Sequence, residues 1–466
     1  MKKKISLILI TFILISILAV FSSCTDKPEY MTPPTINGTD LAEFTLVYDE
    51  QGLDYNKRAA EYIKDTAKQR YNVNLEIVDD GTEVKSHEIV VGETSREISS
   101  SLEAETKGLE FAILANNGSI ALEGDYFVIA AAAYFFMETY ASTDAQASTV
   151  PENVSVHQPI TKEAKNYIML IGDGMGVYQT RMFEYMENNV EYGDSEDVFY
   201  GYMLPYQGLS KTNSLSGTTD SAAGATALAC GHKTFNKYVG RDGNLQDVKN
   251  LTELAHELGK SAAVMSTETE TGATPSSFVV HVDNRNMSSE IINLMLDATI
   301  NKGTVIECGF DFYNTRYMGV IEGKVEKVLD QVSNNDKGFF LMYEEAYIDK
   351  HCDDNDFEKS FNAMVRFNQV IARFMEFAFY NPETAILITA DHETGGLHED
   401  ENGNLAFVTT EHTSADVPIF AYGHGMDLFN GAHIENIQIA HTIAALMGDE
   451  NFGDQSVYQS LTKTNK

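Results

Sequence analysis

The sequence predicts an α/β protein in which a small α/β domain precedes a larger domain built on a mainly parallel sheet. In residues 41–140, short strand patterns alternate with helical patterns, and from residue 166 onward longer apolar runs do the same. The clearest of these later runs end directly in acidic, polar or Gly residues. The chain has 466 residues, of which 43% are hydrophobic. It is therefore long enough for two or three domains, and a disordered or fibrous chain is excluded.

The first 24 residues have the pattern of a secretory signal peptide. Three Lys at positions 2–4 precede an apolar run over residues 5–21, and two Ser and Cys24 follow it. Small residues followed directly by Cys resemble a lipoprotein processing site, where Cys24 becomes the lipidated first residue. We therefore expect an exported lipoprotein of the cell envelope, in the periplasm or at the outer membrane, that meets the membrane only through this lipid. Plain secretion and an uncleaved membrane anchor are the alternatives.

The small domain is delimited by two polar segments. Pro and Gly in residues 25–40 indicate a tether, and Ser, Thr, Pro and Gln in residues 141–165 indicate a linker. Between them the pattern predicts strands at 44–48, 75–78, 89–91, 111–114 and 120–122, and helices at 55–71 and 127–140. Asn116-Asn117-Gly118 predicts a hairpin between the last two strands. The stretch GLEFAILANNGSIALEGD resembles part of the accessory domain found before the catalytic domain of some glycoside hydrolases, which implies a non-catalytic role.

The larger domain, residues 166–466, should carry its chemistry at one edge of the sheet. Its clearest strands are predicted at residues 167–171, 262–265, 339–342 and 385–389. In parallel sheets, ligand sites lie at the carboxyl ends of the strands. The polar residues that follow these four runs are therefore the candidate site.

Two of these strand ends have residue types that favour a metal ion. Asp173 lies in the turn Gly172-Asp173-Gly174, and an acidic residue there repels a phosphate unless a cation lies between them. A metal ligand is therefore favoured over a nucleotide cradle, although an ordinary strand-to-helix turn is the simpler alternative. Asp391 and His392 are adjacent at another strand end, and a carboxylate with an imidazole suits Zn²⁺.

Ser221 is the candidate nucleophile. Asp220 and the small residues that follow it predict the start of a helix, and free N–H groups at a helix N-terminus favour an anion. A Ser at this position could form a phosphoserine, and a simple helix cap is the alternative. After the strand at 339–342, Asp349 and Asp353 are four residues apart and would share a helical face, as a site or as a surface pair.

Six motifs in order resemble the alkaline phosphatase family. They span residues 166–423 and read NYIMLIGDGMG, GTTDSAAGATALACGHKT, GATPSSFVVHVDNR, FFLMYEEAYIDK, AILITADHETGGL and EHTSADVPIFAYG. The resemblance implies a three-layer α/β/α fold and hydrolysis of phosphate monoesters through a phosphoserine. It also implies two zinc ions and one magnesium ion as cofactors.

The resemblance further implies a role for each matching residue. Ser221 matches the nucleophile, Arg285 the residue that grips the phosphate oxygens, and Lys350 a position that could hold phosphate through water. The metal ligands fall into three sets: Asp173, Asp391 and His392 for the first zinc, Asp349 and His412 for the second, and Asp173, Thr274 and Glu344 for magnesium.

The sequence departs from the family pattern at two informative positions. Asp353 stands where a His is usual four residues after Asp349, and we predict that it completes the second zinc site with Asp349 and His412. An extra carboxylate could lower the Lewis acidity of that ion. Gly272 stands where many members have Asp or His near the magnesium, which could loosen the third metal and free Arg285.

The charge of the chain limits its partners. With 33 Lys and Arg against 69 Asp and Glu, the formal net charge is −36, so we expect no nucleic-acid binding. Small phosphate monoesters are the expected partners, and the resemblance is compatible with a homodimer. Two other functions stay open: a diesterase or sulfatase-like enzyme of the same superfamily, and an envelope protein that binds ligands with weakened catalysis.

Overall fold

The structure is a computed structural model that describes residues 30–102, 106–144, 146–186, 198–309, 319–456 and 458–462. The predicted signal peptide, Cys24 and residues 25–29 lie outside this part of the chain. Among the described residues, no helix combines the length and apolar character needed to cross a bilayer. The chain divides into two compact units. Unit 1 contains residues 1–103, 113–123 and 133–155, and unit 2 contains residues 104–112, 124–132 and 156–466.

The described part of the first 157 residues contains nine strands. They are β1 Thr35–Ile36, β2 Thr39–Asp40, β3 Thr45–Tyr48, β4 Glu76–Asp79, β5 Glu88–Val91, β6 Phe111–Asn116, β7 Ser119–Glu123, β8 Ala147–Ser148 and β9 Ser155–His157. Six form one sheet in the order β4-β3-β5-β7-β6-β9. The α-helices are Asp54–Tyr71, Glu97–Ser100 and Ile129–Thr139, with 3₁₀ turns at Leu41–Glu43 and Tyr126–Val128.

The strand and helix patterns of this region are confirmed. The helix Asp54–Tyr71 buries Ala59, Ile63 and Ala67, which are spaced four residues apart and therefore lie on one helical face. The predicted hairpin joins β6 to β7, because Asn117 (φ 49°) and Gly118 (φ 84°) both adopt the left-handed conformation that such two-residue turns need.

The segments predicted as tether and linker contain short strands. β1 pairs with β2 and, in parallel, with β8, although β1 and β8 lie more than 100 residues apart in the chain. Their polar composition suggested irregular backbone. Backbone pairing satisfies N–H and C=O groups whatever the side chains are, so composition alone did not reveal these strands.

The larger sheet has eight strands in the order β13-β12-β14-β10-β15-β20-β11-β21. Seven run in one direction, and β20 runs opposite to its neighbours β15 and β11. The strands of this region are β10 Asn166–Gly172, β11 Tyr206–Lys211, β12 Ser261–Ser266, β13 Val305–Cys308, β14 Phe339–Glu345, β15 Thr384–Thr389, β16 Glu393–Thr394, β17 His398–Glu399, β18 Leu405–Ala406, β19 His412–Thr413, β20 Val417–Tyr422 and β21 His433–Glu435. The four strands predicted from sequence are β10, β12, β14 and β15, and they are adjacent and parallel as expected.

Helices cover both faces of this sheet, as the fold class requires. On β14, Phe340 stacks on Phe278 with ring centroids 6.1 Å apart, while Tyr343 packs on the opposite face against Phe374 of a long helix, also at 6.1 Å. The helices of this region are Val177–Thr180, Met182–Met186, Ser221–Cys230, Leu251–Glu257, Ala273–Ser277, Ser288–Asp297 with its π-helical continuation Ala298–Lys302, Gly319–Val332, Tyr347–Asp353, Phe357–Tyr380 and Ile437–Met447, with 3₁₀ turns at Tyr200–Met203 and Met426–Phe429. The predicted three-layer α/β/α architecture is confirmed.

Candidate active site

The candidate side chains follow the carboxyl ends of four adjacent strands. Asp173 comes directly after β10, and Glu344 lies near the end of β14. Asp391 and His392 follow β15, and Glu268 follows β12. Because these strands are parallel neighbours, they bring together residues that lie far apart in the chain.

Ser221 is the first residue of the helix Ser221–Cys230, as predicted. The carboxylate of Asp220 caps this helix by accepting the N–H of Ala223 at 3.0 Å, and its other oxygen accepts the N–H of Lys237 at 3.0 Å. The side chain of Ser221 is only 4% exposed, and its Oγ lies 3.4 Å from Nε2 of His392. The helix therefore presents the hydroxyl and its own N-terminal dipole to the metal-ligand candidates.

Three of these candidates form a compact donor group. Oxygens of Asp173 and Asp391 each lie 3.3 Å from Nε2 of His392, and one donor atom from each residue falls within 4.8 Å of the others. All three side chains are buried. Asp173 Oδ1 and Asp391 Oδ2 have no hydrogen-bond partner within the described part of the chain. Two buried carboxylate oxygens without partners are costly unless a cation lies beside them.

The protonation of His392 supports the same conclusion. Its Nδ1 lies 3.1 Å from the hydroxyl of Thr394, which already donates its proton to Asp349 and can therefore only accept one from the ring. Nε2 then carries a lone pair that faces two carboxylates. Burial, with His412 and Arg285 nearby, holds the pKa of His392 well below its ordinary value, so the ring is neutral. A lone pair and carboxylates that converge on one point make a cation site.

A second donor group adjoins the first. It consists of Asp349, His392 and His412, again with donor atoms within 4.8 Å of one another. Nδ1 of His412 lies 3.0 Å from the carbonyl oxygen of Thr219, which can only accept, so the lone pair is on Nε2, 3.5 Å from Asp349. The two His rings stack with centroids 3.6 Å apart. His412 lies in the short strand β19, which pairs with β16 just after His392.

Asp353 lies on the predicted helix but outside this donor group. It is the last residue of the helix Tyr347–Asp353 and is half-buried. Burial and the neighbouring Asp349 carboxylate raise its pKa to about 6. It is therefore close enough to interact with Asp349. Among the described residues, however, the donor atoms that fall within 4.8 Å of one another around Asp349 do not include those of Asp353.

A third donor group, of oxygen atoms only, would consist of Asp173 from the first group together with Glu344 and Thr274. Glu344 and Thr274 are fully buried, and neither Glu344 Oε1 nor Thr274 Oγ1 has a hydrogen-bond partner among the residues that the structure describes. Burial and the Glu268 carboxylate raise the pKa of Glu344 to about 7, while the hydroxyls of Ser266 and Thr274 lower it. Thr274 is thus near Glu344 without the geometry of a hydrogen bond. An oxygen-only set such as this suits Mg²⁺.

The excess of buried carboxylates needs positive charge. Burial, and then the charges of Asp391 and Asp349, raise the pKa of Asp173 well above its ordinary value. The pKa of Asp391 is also well above its ordinary value, because of burial first and then the charges of Asp349 and Glu344. Carboxylates this close cannot all be ionised at neutral pH without cations among them.

The two predicted phosphate-binding cations lie at the edge of the cluster. Arg285 is about one-third exposed, and its Nη1 lies 3.5 Å from the Asp220 carboxylate beside Ser221. Lys350 lies across the ring of Tyr347 at 4.7 Å, and its Nζ donates a hydrogen bond to Oε1 of Glu268 at 2.8 Å. The structure therefore places one guanidinium at the nucleophile and one ammonium near the third group.

Sequence reasoning missed Glu268. Besides Lys350, its charge acts on both Asp173 and Glu344. The signal was present: Glu268 lies two residues after the end of β12, at the same sheet edge as the other acids. Glu268 was missed because it follows Ser and Thr residues and belongs to none of the six motifs.

The sequence is similar to known proteins over about half of its length. A family model described as alkaline phosphatase matches residues 164–305 and 318–408, which is half of the chain. Alkaline phosphatase 4 of Bacillus subtilis is 28% identical over 309 residues, covering 54% of this chain and 66% of that protein. Alkaline phosphatase 3 of the same organism is 29% identical over 293 residues, covering 52% and 63%. The matched part thus spans less than two thirds of these relatives.

Solved structures show the same fold. The alkaline phosphatase from the Antarctic bacterium TAB5 matches with a TM-score of 0.53 and 26% identity, covering 61% of this chain and 99% of that one. A variant of that enzyme with Mg bound matches with a TM-score of 0.52 and 26% identity, covering 62% and 99%.

Proposed function

Because this chain belongs to the alkaline phosphatase family, we propose that it hydrolyses phosphate monoesters to an alcohol and inorganic phosphate through a phosphoserine on Ser221. The observation that carries the proposal is the position of the Ser221 hydroxyl, 3.4 Å from Nε2 of His392, where two buried carboxylates also converge. A nucleophilic hydroxyl beside a cation site at a helix N-terminus is suited to attack on a phosphate.

The donor chemistry fits two zinc ions and one magnesium ion. Mixed carboxylate and imidazole donors suit Zn²⁺, and the oxygen-only set suits Mg²⁺. The proposed ligands are Asp173, Asp391 and His392 for one zinc, Asp349 and His412 for the other, and Asp173, Thr274 and Glu344 for magnesium. We also propose that Asp353, which interacts with Asp349 but lies outside the second donor group, completes the second zinc site. When bound, such ions supply Lewis acidity, which lowers the pKa of a hydroxyl or water and stabilises a leaving oxygen.

The side chains of this protein then perform two displacements. Ser221 Oγ attacks phosphorus in line, its bond to phosphorus forms as the ester bond breaks, and the alcohol leaves with a proton. Water next attacks the phosphoserine, which restores the Ser221 hydroxyl and releases phosphate. Arg285 donates hydrogen bonds to the phosphate oxygens, and Lys350 holds the phosphate through water. These two cations and the proposed metals offset the repulsion between a phosphate and a chain with a net charge of −36.

The test is turnover of p-nitrophenyl phosphate by Ser221→Ala, measured together with bound zinc. We expect kcat/KM to fall by about 10³-fold or more while zinc content stays at the wild-type level, because the nucleophile is lost and the proposed ligands remain. Mass spectrometry of the wild type, quenched at low pH with substrate, should find one phosphoryl group on Ser221.

Ser288→Ala is the matched control, since Ser288 also begins a helix but is exposed and belongs to none of the donor groups. Its turnover should equal that of the wild type. If Ser221→Ala keeps more than a few per cent of activity, the phosphoserine route is wrong. If bis-p-nitrophenyl phosphate or p-nitrophenyl sulfate is turned over faster than the monoester, the diesterase or sulfatase-like function replaces this proposal. An intact wild type without turnover of any of them would favour the binding protein.

A further inference from the structure

Glu268 fills the space that a side chain at position 272 would need. A Cβ built on Gly272 would lie 2.5 Å from Oε2 of Glu268 and 3.0 Å from its Cδ and Cγ, so a side chain at position 272 requires the end of the Glu268 side chain to move. The loop brings the two residues together through a turn in which the N–H of Gly272 donates to the carbonyl of Thr269 at 2.8 Å. A larger residue at position 272 would therefore displace the Glu268 carboxylate from this place, against the hydrogen bond by which Lys350 Nζ holds it at 2.8 Å.

Glu268 contacts both a phosphate-binding cation and the surroundings of Glu344. Its Oε1 accepts a hydrogen bond from Lys350 Nζ at 2.8 Å. On the other side, its backbone N–H donates to Ser266 Oγ at 2.9 Å, and this same hydroxyl donates to Glu344. Glu344 Oε1 and the hydroxyl of Thr274, two residues after Gly272, have no hydrogen-bond partners among the described residues.

We propose that Glu268 supplies, from four residues upstream, the acidic side chain that Gly272 lacks. Its carboxylate adds negative charge beside the magnesium site of Glu344 and Thr274, and it holds the ammonium of Lys350 in place for the substrate. Glu268 is thus a positioning residue, and Gly272 leaves room for its side chain because glycine has none. This inference rests on the proposed function, since it concerns the same site.

The test compares three variants by magnesium affinity, with bound metal measured by equilibrium dialysis and elemental analysis. Glu268→Gln keeps the shape of the side chain and should weaken magnesium binding about 10-fold, the usual scale for loss of an outer partner of a metal site. It should also raise KM for p-nitrophenyl phosphate more than it lowers kcat, because Lys350 loses its anchor. Gly272→Asp alone should bind magnesium at least as weakly, because the new carboxylate clashes with and repels the Glu268 carboxylate, which Lys350 holds in place.

The double variant Glu268→Gln with Gly272→Asp is the decisive one. It should bind magnesium within about threefold of the wild type, because position 272 now supplies the negative charge, and the neutral amide at position 268 is neither repelled by it nor held by Lys350. Glu270→Gln, with the same charge change in the same loop, is the control and should leave magnesium affinity unchanged.

Unchanged magnesium affinity in Glu268→Gln, or a double variant no better than Gly272→Asp alone, overturns the inference. The wild type separates this failure from that of the proposed function. If the wild type hydrolyses the monoester but Glu268→Gln binds magnesium as the wild type does, only this inference is wrong. If Glu268→Gln weakens magnesium binding but the wild type does not hydrolyse the monoester, the proposed monoesterase function is wrong.

Discussion

Replacing Gly224 by Ala tests whether the distance between Ser221 and His392 limits turnover. Gly224 lies one turn into the helix Ser221–Cys230, where a Cβ would come within 2.8 Å of the backbone oxygen of Asp391 and 3.1 Å of its Cβ. Since ordinary contact begins near 3.4 Å, the helix and the Asp391 loop must separate by about 0.6 Å. The atoms in the way are mostly backbone, and Asp391 is fully buried, so no flexible side chain can absorb the shift.

This shift should cost more in rate than in stability. Overpacking of this kind costs about 1–3 kcal/mol, and the better helix propensity of Ala over Gly returns about 1 kcal/mol. The free energy of unfolding should therefore fall by only about 0–2 kcal/mol. A misplacement approaching 1 Å between reacting groups can lower a rate by about 10²-fold, so about 0.6 Å should lower kcat/KM about 10-fold.

The assay is kcat/KM for p-nitrophenyl phosphate together with the thermal unfolding midpoint. Gly323→Ala is the control, because Gly323 is exposed within the helix Gly319–Val332 and a Cβ there meets nothing within 4 Å. It should raise the free energy of unfolding by about 0.5–1 kcal/mol and leave the rate unchanged. A Gly224→Ala enzyme with the wild-type rate would refute the reasoning that the helix position sets the geometry of attack.

Two further predictions concern single side chains. Asp353→Ala should lower the zinc content. The pH optimum should lie higher in the wild type than in Asp353→His, because a second carboxylate makes metal-activated water less acidic. Full zinc content and unchanged rates in Asp353→Ala would mean that Asp353 is only a surface acid. His281 faces an acceptor on each ring nitrogen, the carbonyl of Gly240 at 2.7 Å and Glu253 at 3.2 Å. Burial lowers its pKa, but these partners raise it above the ordinary value, so the pair stabilises the fold below about pH 6.5 and loses this effect as the pH rises through the raised pKa. His281→Asn should therefore reduce stability by about 1 kcal/mol near pH 6 and by less near pH 9, and equal losses at both values would contradict this.

The central strands could be predicted because burial on both faces leaves a continuous apolar run. β10 was predicted at residues 167–171 and spans Asn166–Gly172, with every residue buried. β11, in contrast, alternates between half-buried and exposed residues near one edge of the sheet, so no apolar run marked it. The two-residue strands β1 and β8 depend on pairing across more than 100 residues, which no local pattern contains.

The grouping of the site residues could be predicted because the carboxyl ends of parallel strands lie at the same edge of a sheet, so residues after four separate strands come together there. Asp173, Glu344 and Asp391 follow from that rule together with their residue type. The exact reach of a side chain could not be predicted in the same way. Asp353 has helical spacing from Asp349, but it is the final residue of its helix, and spacing does not determine how far a carboxylate at a helix end extends towards a neighbour.

Gly272 shows why a position-by-position comparison with a family is incomplete. Taken alone, Gly272 suggests that an acidic side chain is missing and predicts weaker binding of the third metal ion. A close-packed interior does not leave the volume of a missing side chain empty, and here the carboxylate of Glu268 occupies it. A carboxylate placed among Asp173 and Glu344 needs a positive partner, and Lys350 supplies one at 2.8 Å. The loss at position 272 and the acid at position 268 should therefore be treated as one change, whose two halves act on magnesium affinity together and not additively.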